Sequence, residues 1–268
     1  MITQDHPLAG VWAKIERAEK HISDFRKGGQ TFLQNNPYTL AHKPDPNTGR
    51  DILFYKDIKT TPIELSLLIG DAIHNLRSAL DLLACQLVRL NVVNHNCADI
   101  SFPIADNAKK FKTLLNSAKV QLLGQGAVQI LQQLEPYQGG KRHELWQLHR
   151  LNVQDKHRLL IVALAGIGSM VIDITPPGIN TPAMKIPTSS ELTIPKKGDL
   201  IFAIDSSIYA ISANGQVDVK GKFTTDIAFN EPQIIKCQSV FNTLITFVEI
   251  VKDAIKQFDL FFPQKRSN

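Results

Sequence analysis

The chain is predicted to be α+β: a multi-helix bundle with long core helices, packed with an antiparallel β-sheet made of an early hairpin plus a meander. Three observations predict this. Apolar residues recur at helical spacing through most of residues 1–168. From Ser169 to about Phe229 the texture changes to Val, Ile, Thr, Pro and Gly in short runs, the signature of strands and turns. Helical periodicity then returns over 232–260. A strand block with helices on both sides in sequence predicts one interlocked domain, 1–268, with the last helix packing back on the earlier ones.

The first helix is expected over 8–30, where Val11, Trp12, Ile15, Ile22 and Phe25 recur with Lys and Glu between them. Strands at Tyr38–His42 and Ile52–Tyr55 flank the turn-rich KPDPNTGRD, giving a hairpin within 38–56 that can join the later sheet. A long helix follows from about Pro62 to Asn91. Thr60 or Thr61 suits its cap, Pro62 its first turn, and Glu64 the positive end of its dipole. After a loop over 92–106, two shorter helices span roughly 107–118 and 124–135, the second stopped by Pro136 and Gly139-Gly140. Another long helix is expected over 142–165, ending near Gly166 and Gly168. Strands are expected at 170–174, 190–194, 200–204, 207–212, 216–219 and 222–229.

Hydrophobic residues make up 43% of the 268 positions and charged residues 21%, enough to bury a core. The formal charge of +5 suits a polyanionic partner, but no dense Lys/Arg run concentrates it. The N-terminus, MITQDHPLAG, lacks a signal-peptide pattern, and no apolar run reaches the length of a membrane span, so a cytoplasmic protein without a membrane partner is expected. Cys85, Cys97 and Cys237 are far apart and odd in number. They suggest no disulfide framework, and Cys85 reads as a small core hydrophobe.

Two helical blocks carry unusual polar residues. In GDAIHNLRSALDLLACQL, the residues Asp71, His74, Asn75, Arg77, Ser78 and Asp81 fall within about 160° of arc on a helical wheel. A solvated face favours Lys, Glu and Gln, whereas this arc holds short polar groups and one Arg. In LWQLHRLNVQDKHRLLI, the residues His149, Asn152, Asp155 and Lys156 intrude on the apolar face, with Arg150, His157 and Arg158 opposite. An unpaired buried charge is costly. The two helices should therefore pack stripe to stripe, with Arg77 meeting Asp155 and Asp81 or Asp71 meeting Lys156. The stripe is either a structural hydrogen-bond network or a cleft that binds an anion or performs chemistry.

The blocks GDAIHNLRSALDLLA and LWQLHRLNVQDKHRLL, with EPYQGG before the second, resemble an uncharacterised bacterial protein family with HNLRSALD and DKHR signatures. The matching residues are His74, Asn75, Arg77, Ser78 and Asp81, then Asp155, Lys156, His157 and Arg158; the resemblance implies no activity. More distantly the chain resembles HEPN domains, helical bundles that are often dimeric and include metal-independent ribonucleases of toxin and phage-defence systems as well as members that only bind. Their signature is an Arg followed a few residues later by a His. Arg150 and His157, with six residues between them, fit it and would share one face of a continuous helix. The resemblance implies His157 as general acid/base and Arg150 as the charge-neutralising group, with His74 and Arg77 in support.

The function expected is a binding or interaction module on a HEPN-like helical core, with RNA or a protein as partner and a homodimer as assembly. The alternative is a metal-independent HEPN-type ribonuclease. A further alternative is a metal-dependent hydrolase using Asp71, His74 and Asp81 with His149 or His157. No cofactor or metal is expected: the nucleotide-binding glycine motifs are missing, and His95 with Cys97 lacks a second zinc-ligand pair. A serine hydrolase lacks G-x-S-x-G, and Ser78 falls inside a helix.

Overall fold

The computed structural model describes residues 6–160, 162–165, 170–175, 184–186, 194–205, 218–223 and 225–262. The fold is α+β, and its described residues cluster into two compact units. The first holds residues up to 26, 64–160 and those from 241 on; the second holds 27–63 and 161–240.

The first unit is helical. Helix α1, Ala9–Gln34, contributes its first part. There Val11, Ile15, Ala18, Ile22 and Phe25 are all buried, at alternating steps of four and three that keep one stripe on the core. Helix α2, Ile63–Asn91, has Glu64 in its first turn and Arg89 in its last, each matching the dipole. From Ile69 onward its apolar residues are buried nearly all round, so α2 runs through the centre of the unit. Short helices α3 (Ala108–Leu115), α4 (Ala118–Gln121) and α5 (Gln125–Leu134) follow. Asn107 caps α3 by accepting from Lys110 N, Ser117 caps α4 by accepting from Val120 N, and Glu135 ends α5 in the left-handed conformation, φ 50°. Helix α6, His143–Asp155, buries Leu145, Trp146, Leu148 and Leu151. Helix α7, Val240–Lys256, packs back on this unit, as the sequence predicts: Leu244, Phe247 and Val251 are buried, and Lys252 Nζ lies 2.6 Å from Glu19 Oε1 of α1.

The second unit is built from antiparallel strands. Strands β1 (Tyr38–Pro44) and β2 (Arg50–Ile58) form the predicted hairpin. Asp45 organises its turn, accepting from Asn47 N at 3.0 Å and Thr48 Oγ1 at 2.6 Å, and Gly49 at φ 64° closes it. The hairpin does join a later strand: β2 pairs with β6 (Leu200–Asp205). The strand block is not one meander. Strands β3 (Val162–Ala165), β8 (Asp226–Glu231) and β9 (Ile235–Ser239) make a second sheet in the order β3-β8-β9. Strands β5 (Met184–Ile186), β4 (Met170–Thr175) and β7 (Asp218–Phe223) make a third.

Three boundaries differ from the sequence reading. The helix expected over 142–165 ends at Asp155: the N–H groups of His157 and Arg158 both turn back to Gln154 O, and Val162–Ala165 pairs with β8 instead. The strand expected over 222–229 is divided between β7 and β8, and the helix expected from 232 begins at Val240 because Ile235–Ser239 pairs with β8. In the two helical cases the segment found a strand partner, and that pairing outweighs helix propensity. The strand expected at 207–212 lies outside the described residues, as do most of 190–194 and the start of 216–219. Among the described residues no helix is long and apolar enough to cross a membrane.

Candidate functional site

The polar stripes of α2 and α6 do meet, and a glycine of α2 lies directly beneath one of the α6 side chains. Both carboxylate oxygens of Asp155 stand 2.6 Å from where a β-carbon on Gly70 would lie, so any larger residue at 70 has to push the Asp155 carboxylate aside. Burial raises the Asp155 carboxyl above its usual range, Asp71 raises it further, and His74 opposes both.

The partners within the stripe are not the expected ones. Arg77, 5% exposed, reaches Asp81 one turn along α2 and the 97–102 segment rather than Asp155. Its Nη2 donates to Phe102 O at 3.0 Å and its Nε to His149 Nδ1 at 3.3 Å. Its Nη1 lies 2.8 Å from Asp81 Oδ1, outside hydrogen-bond geometry, so that contact is an ion pair by distance. Asp81 Oδ1 also accepts from Phe102 N at 2.8 Å. The reason is plain: Phe102 is buried in irregular backbone, its N–H and C=O both need partners, and the Arg77–Asp81 pair supplies one to each. The ring of Phe102 meets Phe258 edge-on at 6.1 Å.

The electrostatics follow the burial. Desolvation pushes the Asp81 carboxyl up and the Arg77 guanidinium down, and each group's charge opposes the shift of the other. His149 is driven down to about 4 by burial first, then by Arg77 and Arg150. Its ring is therefore neutral at pH 7 and accepts at Nδ1, which leaves the proton on Nε2. Lys156 is exposed and adds to the attraction on Asp81.

A second chain of contacts runs along the exposed side. His74 Nδ1 lies 3.4 Å from Asn152 Oδ1, and Ser78 Oγ lies 3.4 Å from His74 Nε2. Asn75 is buried, donates to Asp71 O at 2.8 Å and accepts from Lys14 Nζ at 3.3 Å. Asp71 is exposed, 4.0 Å from His21 Nδ1.

Two hollows of the helical unit adjoin these groups. The first, about 310 Å³, is lined by Arg77 and His149, by apolar Phe102, Leu114 and Leu123, and by Ser117. The second, about 540 Å³, is lined by Ser78, Asp81, Lys14, Arg89 and the Cys85–Cys97 pair. Ile100 borders both.

Arg150 and His157 are exposed but do not share a helix face, because α6 ends between them; neither lines either hollow. Arg150 instead adds its charge to those acting on Asp106, whose carboxyl is lowered chiefly by a hydrogen bond from Lys110. Among the described residues no three His, Cys, Asp or Glu side chains gather as a metal group, so Asp71, His74, Asp81, His149 and His157 do not assemble into one.

Cys85 is not simply a core hydrophobe: it is disulfide-bonded to Cys97, with their Cα atoms 5.5 Å apart. This corrects the sequence reading, in which a sequence separation of 12 across a helix end hid the pairing. Phe102 was missed as well, because it acts through its backbone. Gly70 carried a readable signal, a lone glycine inside a helix.

Comparison with protein-family models, with curated proteins and with solved structures finds no match to this chain. The site has to be read from its own chemistry.

Proposed function

We propose that the chain is a binding module whose helical unit receives a small ligand with both apolar and polar parts in the hollow lined by Arg77 and His149. The supporting observation is the composition of that hollow: about 310 Å³, with apolar walls at Phe102, Leu114 and Leu123, a polar side that includes the Asp99–Lys119 ion pair, and a neutral imidazole and a buried guanidinium converging on it. Ligand sites share this design, apolar walls for affinity and a few fixed polar groups for orientation. In the polar stripe around it His74 meets Asn152, Arg77 meets His149, and Arg77 and Asp81 hold the Phe102 backbone, which suits a rigid receptor. This keeps the binding-module reading and replaces the expected RNA or protein partner with a small molecule.

The ribonuclease reading has less support, since Arg150 and His157 sit on different elements. The Cys85–Cys97 bond bears against a cytoplasmic setting, because reducing compartments keep thiols reduced.

The test is native mass spectrometry of the full chain purified from an expressing cell, beside Leu114→Trp, which fills the hollow from a half-buried position. A small co-purifying mass lost in a folded Leu114→Trp supports the module. Equal spectra, together with RNA cleavage in excess EDTA that disappears in His157→Ala, would overturn it in favour of the nuclease.

A further inference from the structure

We propose that Ser78, His74 and Asn152 form an acyl-transfer relay opening on the second hollow, with small carboxylic esters as the substrate class. The inference goes beyond the binding reading and does not depend on whether the first hollow is occupied.

The geometry is that of a nucleophile, a base and an orienting group in line. Ser78 Oγ lies 3.4 Å from His74 Nε2, and His74 Nδ1 lies 3.4 Å from Asn152 Oδ1. An amide oxygen only accepts, so Asn152 fixes the ring proton on Nδ1 and leaves the Nε2 lone pair toward the serine. Such contacts are commonly loose in ligand-free sites and tighten on the substrate. The spacing is enforced by the fold: Ser78 and His74 are one turn apart on α2, and Asn152 is 4% exposed on α6, held against α2 by the Gly70 gap.

Ser78 lines a hollow of about 540 Å³ that also carries Lys14 and Arg89. The N–H groups of a helix interior are committed to the helix, so the oxyanion has to be met by a side chain rather than by a backbone turn; Arg89 stands about three turns along α2 from Ser78, which leaves Lys14 for that role. This departs from the strand-to-helix elbow of G-x-S-x-G hydrolases.

The reaction balances with water alone. Ser78 Oγ bonds to the ester carbonyl carbon while its proton moves to His74 Nε2. Collapse breaks the bond to the leaving alcohol, which takes that proton. Water then attacks the acyl carbon, gives one proton to Nε2, and releases the acid as Ser78 Oγ regains its hydrogen. Ser78 and His74 touch the reacting atoms; Asn152 is a positioning residue.

The experiment treats the full chain with an alkyl fluorophosphonate, which forms an Oγ–P bond on an activated serine with loss of fluoride, followed by peptide mapping and by p-nitrophenyl acetate turnover. The adduct is expected on Ser78, absent in Ser78→Ala, and formed about 10²-fold more slowly in His74→Gln, a change at an exposed position that leaves the fold in place. Asn152→Asp, which keeps an acceptor at Nδ1, should retain the rate that Asn152→Ala loses. Absence of an adduct on Ser78, or equal labelling of the wild type and His74→Gln, would overturn the proposal.

Discussion

Reduction of the Cys85–Cys97 bond gives the most quantitative test of the helical unit. The bond joins the buried part of α2 to the turn Cys97–Asp99, closing a loop with a sequence separation of 12. In the chain-entropy account, opening a loop of this size releases about 3 kcal/mol of constraint on the unfolded chain. At roughly 2–4 °C per kcal/mol for a protein of this size, Tm should fall by about 6–12 °C. The native segment keeps other ties, since Phe102 remains bonded to Asp81 and Arg77, so the fold itself should persist. Circular-dichroism melts with and without a phosphine reductant, beside Cys85→Ala/Cys97→Ala, measure the effect. Both treatments should converge on the same lowered Tm, and the double variant should not respond to reductant. Three titratable thiols in the protein purified without reductant, or a Tm that reductant leaves unchanged, would refute the reasoning.

Other perturbations test the α2–α6 contact. Gly70→Ala drives a methyl group into the Asp155 carboxylate and should cost about 1–3 kcal/mol, most of it recovered in Gly70→Ala/Asp155→Ala; chemical denaturation of the four proteins closes the cycle. Arg77→Met strands the Asp81 carboxylate and Phe102 O and should cost about 3–5 kcal/mol, with part regained by adding Asp81→Leu. His149 is held at about 4 in the fold, below its ordinary 6.5, so the unfolded chain takes up the proton first as pH drops. Its contribution is present above pH 6.5 and is lost between there and about 4, by no more than about 3 kcal/mol. Urea unfolding at pH 7 and 5 should therefore show a larger loss in the wild type than in His149→Gln. The raised carboxyls of Asp81 and Asp155 act in the opposite sense in both proteins, so they cancel in the comparison.

The long helices were legible because burial is periodic: the stripe on α1 and the nearly all-round burial of α2 follow directly from where Ile, Leu and Ala stand. The meeting of the two polar stripes was legible too, from the cost of burying Asp155 or Arg77 unpaired. Which group pairs with which was not. Arg77 had carboxylate candidates on two helices, and its actual partners include a backbone carbonyl that no side-chain pattern reveals. The end of α6 was hidden for another reason. The apolar run after Arg158 suits a helix or a buried strand equally, and the choice is made by Phe229 and Ala228, more than sixty residues away in sequence. The triad-like line through Ser78, His74 and Asn152 needed both the helix turn and the α2–α6 distance, and only the former is written locally.

The Arg77–Asp81 ion pair has one partner on each hollow, Arg77 on the first and Asp81 on the second. A guest that draws the guanidinium toward itself loosens its hold on the carboxylate, and a cationic guest on the other side does the reverse. Thermodynamic linkage then requires the two occupancies to be heterotropically coupled, and by the same factor in both directions. Titrating one guest at fixed concentrations of the other would expose that coupling as a shift in apparent Kd, and neutralising the shared pair, as in Asp81→Asn, would bring the shift toward zero.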